Sequence, residues 1–144
     1  NLRGVFLGLQ AVAPAIRRAG GGAIVVTASS AGLRSDPELA AYSVAKRGAI
    51  ALVQSAATEM APWNIRVNAI CPGAVATPMT SAMDSGPGSA LALLHPLGRV
   101  GTPEDIAELV SFLAGERAGF ITGATYPVDG GLTSVAVPRY RGNA

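Results

Sequence analysis

The chain has 144 residues and a formal net charge of +2, from 11 basic and 9 acidic side chains. A charge so close to balance excludes the basic surface that nucleic acid requires, and no run of 18 apolar residues indicates a membrane span. Apolar residues make up 49% and charged residues only 14%, which indicates that buried elements dominate and that some apolar surface meets another molecule.

The first two predicted elements are a helix and a strand. Apolar residues recur at helical spacing from residue 1 to about residue 18, and three glycines at 20–22 end that helix. Residues 23–27 form a short, continuous apolar run that is rich in β-branched residues, which predicts a strand buried on both faces, as in a parallel sheet. Turn-forming residues then predict a loop over 31–39.

The middle of the chain predicts a long helix, a second strand and an irregular segment. The helix covers residues 40–60 and is rich in small residues, which permit close approach to a sheet or to another helix. A second buried strand is predicted over 65–70. Glycine and proline in residues 77–100 predict a mobile segment around a short helix at about 89–94.

The last predicted elements are a helix that begins at Thr102 and a strand over 124–128. Thr102 suits the N-cap, Pro103 suits the first turn, and an acidic pair follows at the positive end of the helix. The alternation of helices and strands indicates right-handed parallel crossovers in an α/β fold. The tail at 135–144 carries no clear pattern.

Three side chains carry the candidate chemistry. Tyr42 and Lys46 are four residues apart, which places both on one face of the predicted helix. An ammonium group one turn from a phenol stabilises the phenolate, which makes the tyrosine usable as a general acid/base. Ser29 ends the first predicted strand and could hold a substrate oxygen beside them. The alternative for Ser29 is a hydroxyl that is satisfied by its own backbone.

This arrangement resembles the short-chain dehydrogenase/reductase family. The resemblance is carried by residues 1–4, by the serine stretch at 24–32, by Tyr-Ser-Val-Ala-Lys at 42–46 and by residues 68–77. It implies a partial doubly wound, Rossmann-like parallel sheet, in which residues 1–134 supply the last three strands with their helices. It also implies that an N-terminal half is missing, with about four more strands and the glycine-rich dinucleotide fingerprint.

The resemblance implies a role for each candidate residue. Tyr42 is the catalytic acid/base, Lys46 supports it and binds the nicotinamide ribose, and Ser29 polarises the substrate oxygen. Ser30 is a rival for Ser29, but the 13-residue spacing to Tyr42 favours Ser29. Asn1 falls where the family keeps an asparagine that helps to hold a water in the proton path. A helix N-cap is the alternative for Asn1.

Residues 68–77 resemble the family stretch that meets the nicotinamide end of NAD or NADP. The expected cofactor-binding residues are Tyr42, Lys46, Pro72, Gly73, Val75 and Thr77. The backbone of Val75 would bind the carboxamide, and Thr77 the amide or the phosphates. Asn68 is interpreted as a structural tie between loops. NAD and NADP are not distinguished, because the residue that selects between them lies in the missing half.

The resemblance implies a substrate lid at 79–98. Its methionines and leucines indicate an apolar substrate face, with plain packing as the alternative. His95 is interpreted as a residue of the lid hinge. Cys71 lies in an apolar run, which predicts a buried small side chain. Because it is the single cysteine, a reducing and therefore cytoplasmic compartment is favoured. No spacing of His, Cys, Asp or Glu supports a metal site.

The predicted function is reversible hydride transfer between NAD(P) and a small-molecule alcohol or carbonyl compound. The alternative is a truncated, inactive chain that serves only as an assembly or interaction module. The short region after Lys46 argues against the related extended enzymes that act on sugars. Family members commonly pair the two long helices across a two-fold axis, which implies a homodimer or homotetramer with Phe6, Leu52 and Ala56 between subunits.

Overall fold

A computed structural model of the chain describes residues 1–134, and the predicted tail at 135–144 lies outside the described residues. The α-helices are α1 (Leu2–Arg18), α2 (Ala40–Met60), α3 (Ala90–Leu93) and α4 (Pro103–Ala114). The strands are β1 (Gly22–Thr27), β2 (Ile65–Pro72) and β3 (Thr125–Val128). Each helix and strand predicted from the sequence is therefore confirmed, with ends that differ by at most two residues.

The three strands form one parallel sheet in the order β1-β2-β3, which confirms the α/β class. β1 pairs along β2 from Gly22 opposite Ile65 to Thr27 opposite Ile70. β3 pairs in parallel with the last part of β2. The carboxyl ends of all three strands therefore meet at one edge, which is where open α/β sheets bind their ligands.

β2 is the centre of the core, and its side chains alternate between two apolar clusters. Val67 and Ala69 are fully buried against residues of α1 and α2 on one face of the sheet. Ile70 packs with Leu113 of α4 on the other face. Ala56 of α2, which was expected between subunits, is buried in the first cluster. The structure therefore places Ala56 inside the chain rather than at an interface.

β1 is less buried than the sequence predicts. Val26 is its buried side chain, and its other residues are half-buried or exposed. Among the described residues β1 pairs only with β2, so one edge of the strand carries unpaired backbone groups. Within residues 1–134 β1 is an edge strand, and an edge strand is covered less completely than a central one.

α1 and α2 pack side by side where α2 carries no side chain. A Cβ atom added at Gly48 would lie 3.0 Å from Cδ1 of Leu2, so the close approach depends on a small residue. Near the other end of α1, the Arg17 guanidinium stacks over the Trp63 ring, 4.7 Å from its centroid. No helix within residues 1–134 combines the length and apolarity needed to cross a membrane.

Asn68 ties β2 to the loop that enters β3. The residue is 1% exposed. Its Nδ2 donates to the Ile121 carbonyl at 2.9 Å, and its Oδ1 accepts from the Ala124 backbone N–H at 3.1 Å. One buried amide thus satisfies two backbone groups beside the sheet, which agrees with its interpretation as a structural tie.

Replacing Asn68 with leucine should lower the free energy of unfolding by about 2–4 kcal/mol. The Ile121 carbonyl and the Ala124 N–H would both lose a buried partner. Equilibrium urea unfolding of the protein expressed from its complete open reading frame measures the change.

Thr58→Val is the matched control, because it removes one exposed hydroxyl that donates to the Gln54 carbonyl. That variant should change the free energy by less than about 0.5 kcal/mol. Equal losses in the Asn68 and Thr58 variants would contradict the assigned role of the buried amide.

Candidate active site

The carboxyl ends of β1 and β2 bring the candidate residues to one edge of the sheet. Thr27, the last residue of β1, lies opposite Ile70 of β2, and Ser29 and Cys71 follow. Cys71 is fully buried, as predicted. Burial raises the pKa of the Cys71 thiol, and a hydrogen bond from the Ser29 backbone opposes that rise. The Ala28 N–H donates to the Ile70 carbonyl at 2.8 Å, which holds the chain just before Ser29 beside the end of β2.

Ser29 begins the 3₁₀ turn Ser30–Gly32 and is half-buried. Its Oγ accepts a hydrogen bond from the Ala31 N–H at 3.2 Å, which is the local role weighed for it from the sequence. Within residues 1–134 its hydroxyl hydrogen has no acceptor, so Ser29 can also donate to a substrate oxygen. Ser30, its rival, is only 6% exposed.

Tyr42 and Lys46 lie in the first two turns of α2, and both are half-buried. The Lys46 Nζ is 5.6 Å from the centroid of the Tyr42 ring. It also donates to the Thr27 carbonyl at 3.1 Å, which anchors the ammonium group at the end of β1. The Tyr42 hydroxyl forms no hydrogen bond within the described part of the chain, which leaves it available to a substrate.

Gly32 sets the distance between the serine turn and α2. A Cβ atom there would lie 2.9 Å from the carbonyl carbon of Lys46, so a larger residue would push the turn away. Arg47 reinforces the contact by donating to the carbonyls of Gly32 and Leu33, at 3.1 and 2.9 Å. Packing and hydrogen bonds therefore fix the turn after Ser29 to the helical segment that carries Lys46.

Asn1 is exposed at the N-cap position of α1, and its side chain makes no capping hydrogen bond. Leu2 beside it packs on Gly48, two residues beyond Lys46 on α2. The structure therefore places Asn1 near the segment of α2 that carries Lys46, without a hydrogen bond from its side chain to Tyr42 or Ser29.

The 72–77 segment leaves β2 and is held by its neighbours on one side. Gly101 donates its N–H to the Ala74 carbonyl at 2.9 Å and accepts the Ala76 N–H at 2.9 Å. Together these bonds form a short parallel bridge between Val75 and Gly101. The segment is therefore a fixed extension of the sheet rather than a free loop.

Thr80 holds the outer end of the 72–77 segment. Its Oγ1 donates to the Val75 carbonyl at 2.7 Å and accepts the Thr77 N–H at 3.0 Å. The Val75 N–H itself has no acceptor among residues 1–134. Val75 is half-buried, and the backbone groups next to its N–H are hydrogen-bonded. Its unpaired N–H can therefore donate to an acceptor atom of a ligand.

His95 makes contacts that the sequence did not reveal. It is 2% exposed, its Nε2 accepts the Ala74 N–H at 3.1 Å, and its Nδ1 lies 2.9 Å from the Leu91 carbonyl. His95 therefore joins the 79–98 segment, for which a lid is predicted, to the 72–77 segment. Its sequence neighbours give no periodic signal for this contact, and Thr80 was missed for the same reason.

A cavity of about 150 Å³ lies beside the 72–77 segment, between the base of the lid and α4. Arg99 and Asp105 both line this cavity. The Arg99 guanidinium donates hydrogen bonds to both carboxylate oxygens of Asp105, at 2.6 and 2.9 Å. Arg99 and the Thr102 N–H hold the pKa of the Asp105 carboxyl far below its usual range. No cluster of His, Cys, Asp or Glu within residues 1–134 is arranged to hold a metal ion.

The 79–98 segment, for which a lid is predicted, exposes several apolar side chains. Met79 is 90% exposed, Met83 57% and Leu97 71%, whereas Leu91 is half-buried. Within residues 1–134 the segment therefore offers an apolar surface.

Comparison with known proteins places the chain among dehydrogenases and reductases. The family model described as "Enoyl-(Acyl carrier protein) reductase" matches residues 1–133. Cyclohexanol dehydrogenase of Acinetobacter sp. (strain SE19) is 43% identical over 93% of this chain and 52% of its own length. The chain spans about half the length of the curated relatives it matches.

Two solved structures share the fold. A short-chain type dehydrogenase/reductase from Mycobacterium ulcerans superposes with a TM-score of 0.86 and 34% identity, over 92% of this chain and 49% of that one. ElxO, solved with NADP bound, superposes with a TM-score of 0.84 and 33% identity, over 92% of this chain and 54% of that one.

Proposed function

The chain belongs to the short-chain dehydrogenase/reductase family, and on that premise we propose that it is the catalytic part of an NAD(P)-dependent alcohol dehydrogenase or ketone reductase. The observation that carries the proposal is the Tyr42–Lys46 pair, anchored at the end of β1 beside Ser29. A phenol, an ammonium group and a hydroxyl at one sheet edge are suited to moving a proton on and off a substrate oxygen.

The chain's own residues supply the proton chemistry. In the oxidation direction Ser29 donates a hydrogen bond to the substrate oxygen, and the Tyr42 phenolate takes the hydroxyl proton as the carbinol carbon becomes a carbonyl. In the reduction direction Tyr42 returns the proton to the oxygen. Lys46 stabilises the phenolate by its charge. Asn1 is proposed to hold a water through which the proton reaches solvent.

The cofactor is proposed to lie against Tyr42, Lys46 and the 72–77 segment. The free Val75 N–H suits the acceptor oxygen of a carboxamide, and Thr77 is placed to contact the amide or the phosphates. Pro72 and Gly73 form the turn that leads from β2 to the backbone of Val75 and Thr77. Bound NAD or NADP supplies the hydride donor or acceptor, which no side chain can replace. The NADP in ElxO makes NADP the first cofactor to test, with NAD beside it.

The substrate is proposed to be a small alcohol or ketone with an apolar body. The exposed methionines and leucine of the lid would pack on such a body, with the oxygen directed to Ser29 and Tyr42. The relative named for cyclohexanol suggests cyclohexanol and cyclohexanone as the first substrates.

Cofactor titration of the protein expressed from its complete open reading frame tests this function. We expect saturable quenching or enhancement of NADPH or NADH fluorescence, and turnover with cyclic secondary alcohols. A folded protein that binds neither cofactor would contradict the proposal and favour the assembly-module alternative.

The proposed assembly is a dimer formed through the outer face of α1 and α2. A groove of about 640 Å³ runs along this face, lined by Leu2, Arg3, Phe6, Gly48, Ala51, Leu52 and Ser55. Phe6 is one of the lining residues and is 46% exposed. An isologous contact would set each groove against its copy and cover the apolar side chains on both.

Replacing Phe6 with glutamate should split this dimer, because two carboxylates would be buried near the two-fold axis without partners. Light scattering should show the mass falling to that of a monomer, with an unchanged far-ultraviolet dichroism spectrum. Phe120→Glu makes the same exchange at a fully exposed phenylalanine outside the groove and should leave the mass unchanged. A monomeric parent protein would rule the dimer out.

A further inference from the structure

His95 has a single tautomer that fits its surroundings. The Ala74 N–H can only donate, so the Nε2 atom that faces it at 3.1 Å must carry no proton. The proton is then on Nδ1, where it donates to the Leu91 carbonyl at 2.9 Å. The neutral ring therefore bridges the end of α3 and the 72–77 segment through two opposite hydrogen-bonding roles.

The ring also packs against backbone that has no room for a side chain. A Cβ atom at Gly73 would lie 2.7 Å from the His95 Nε2 and 3.0 Å from the Asp129 Cα. A Cβ atom at Gly130 would lie 3.2 Å from the His95 Cβ. His95 is therefore tightly packed between the ends of β2 and β3. A side chain of different shape at this position should displace the 72–77 segment.

Two partners hold the backbone around Val75. Gly101 binds the peptide unit that carries the Val75 N–H, by donating to the Ala74 carbonyl, and the next unit, by accepting the Ala76 N–H. His95 binds the unit before them, by accepting the Ala74 N–H. Because consecutive planar units share a Cα atom, the path of the segment up to the Val75 N–H depends on both anchors. Without His95, one anchor is lost and Ala74 keeps a half-buried donor with no partner.

We propose that His95 is a positioning residue, which sets the conformation of the 72–77 segment and through it the affinity for the nicotinamide cofactor. It does not touch the reacting atoms. The cofactor part of this inference rests on the proposed function, whereas the anchoring of the segment does not.

Two substitutions separate the two hydrogen-bonding roles of the ring. In His95→Gln the side-chain amide reaches the position of Nε2 and can still accept the Ala74 N–H. In His95→Asn the shorter amide reaches only the position of Nδ1, so it keeps the Leu91 contact and loses the Ala74 contact. Ser89→Ala is the control for general damage to the lid, because it removes the N-cap bond of α3 to the Ala92 N–H and leaves His95 unchanged.

Two measurements on the protein from its complete open reading frame test the proposal. Amide hydrogen exchange without cofactor should speed up in peptides covering residues 72–77 in His95→Asn, and stay near the parent rate in His95→Gln and Ser89→Ala. The dissociation constant for NADPH or NADH should rise roughly tenfold in His95→Asn, with kcat changed much less. His95→Gln should recover most of that loss.

The outcomes are distinct. Unchanged exchange in His95→Asn, a glutamine variant as weak as the asparagine variant, or an equal loss in Ser89→Ala would each overturn the inference. If exchange separates the variants as expected but the parent binds neither cofactor, the anchoring by His95 stands. The proposed function then fails, together with the link from His95 to cofactor affinity.

Discussion

Replacing Tyr42 with phenylalanine should lower turnover by roughly 10²–10⁴-fold, the usual contribution of a positioned acid/base. The ring remains, so its packing on α2 and its place beside Lys46 are kept, while the atom that exchanges the proton is lost. Binding of the cofactor should fall much less than turnover, because the Tyr42 ring against which the cofactor is proposed to lie is kept. Steady-state rates in both directions, with the cofactor dissociation constant measured separately, check this expectation.

Tyr126→Phe is the matched control, since it removes the hydroxyl of another half-buried tyrosine, on β3. That variant should keep the parent rate within a few-fold. A Tyr42→Phe protein with parent activity would remove Tyr42 from the reaction and leave the family resemblance without its central residue.

Replacing Lys46 with alanine should weaken cofactor binding and slow turnover together, each by roughly 10–100-fold. One ammonium group is proposed to serve the ribose and the phenolate, so a single loss has two effects. Without the positive charge, the negative charge that develops on the Tyr42 oxygen loses its stabilising neighbour, so turnover should stay low even at saturating cofactor. Turnover at saturating cofactor and cofactor titrations measure the two effects.

Lys46→Arg separates charge from shape, because arginine keeps the positive charge but not the compact ammonium group. Turnover of that variant at saturating cofactor should stay nearer the parent value than turnover of Lys46→Ala, even where cofactor binding is impaired. If Lys46→Ala weakens cofactor binding but keeps the parent turnover at saturating cofactor, the ammonium group does not act on Tyr42.

The regular elements of this fold follow from local sequence. α2 is predicted with its observed bounds because a long run without glycine clusters or internal proline lies between turn signals, and Pro62 follows its end. β2 is predicted because apolar residues predominate between the helix end at Pro62 and the turn at Pro72, and the structure buries all but Arg66 and Pro72 of this strand. The Tyr42–Lys46 pair follows from helical spacing alone, since residues four apart share a face.

The connections between loops could not be predicted in the same way. His95 and Ala74 are 21 residues apart in sequence, and the contact depends on how the lid folds back on the end of β2. The prediction for Ala56 was wrong because α2 carries small residues on several of its faces. The sequence therefore does not distinguish the helix face that packs on the sheet from the face that is left uncovered. Only the packed chain shows that Ala56 faces the sheet, whereas Leu2 and Phe6 border an open groove.

Transfer of deuterium tests the central claim most directly. The protein from its complete open reading frame is incubated with cyclohexanol deuterated at the carbinol carbon and with NADP⁺ or NAD⁺, and the reduced cofactor is analysed by mass spectrometry. We predict that the cofactor gains one deuterium, that cyclohexanone forms in equal amount, and that Tyr42→Phe slows both. A protein that binds the cofactor yet transfers no deuterium to it from this or any other secondary alcohol in a broad panel would contradict the account.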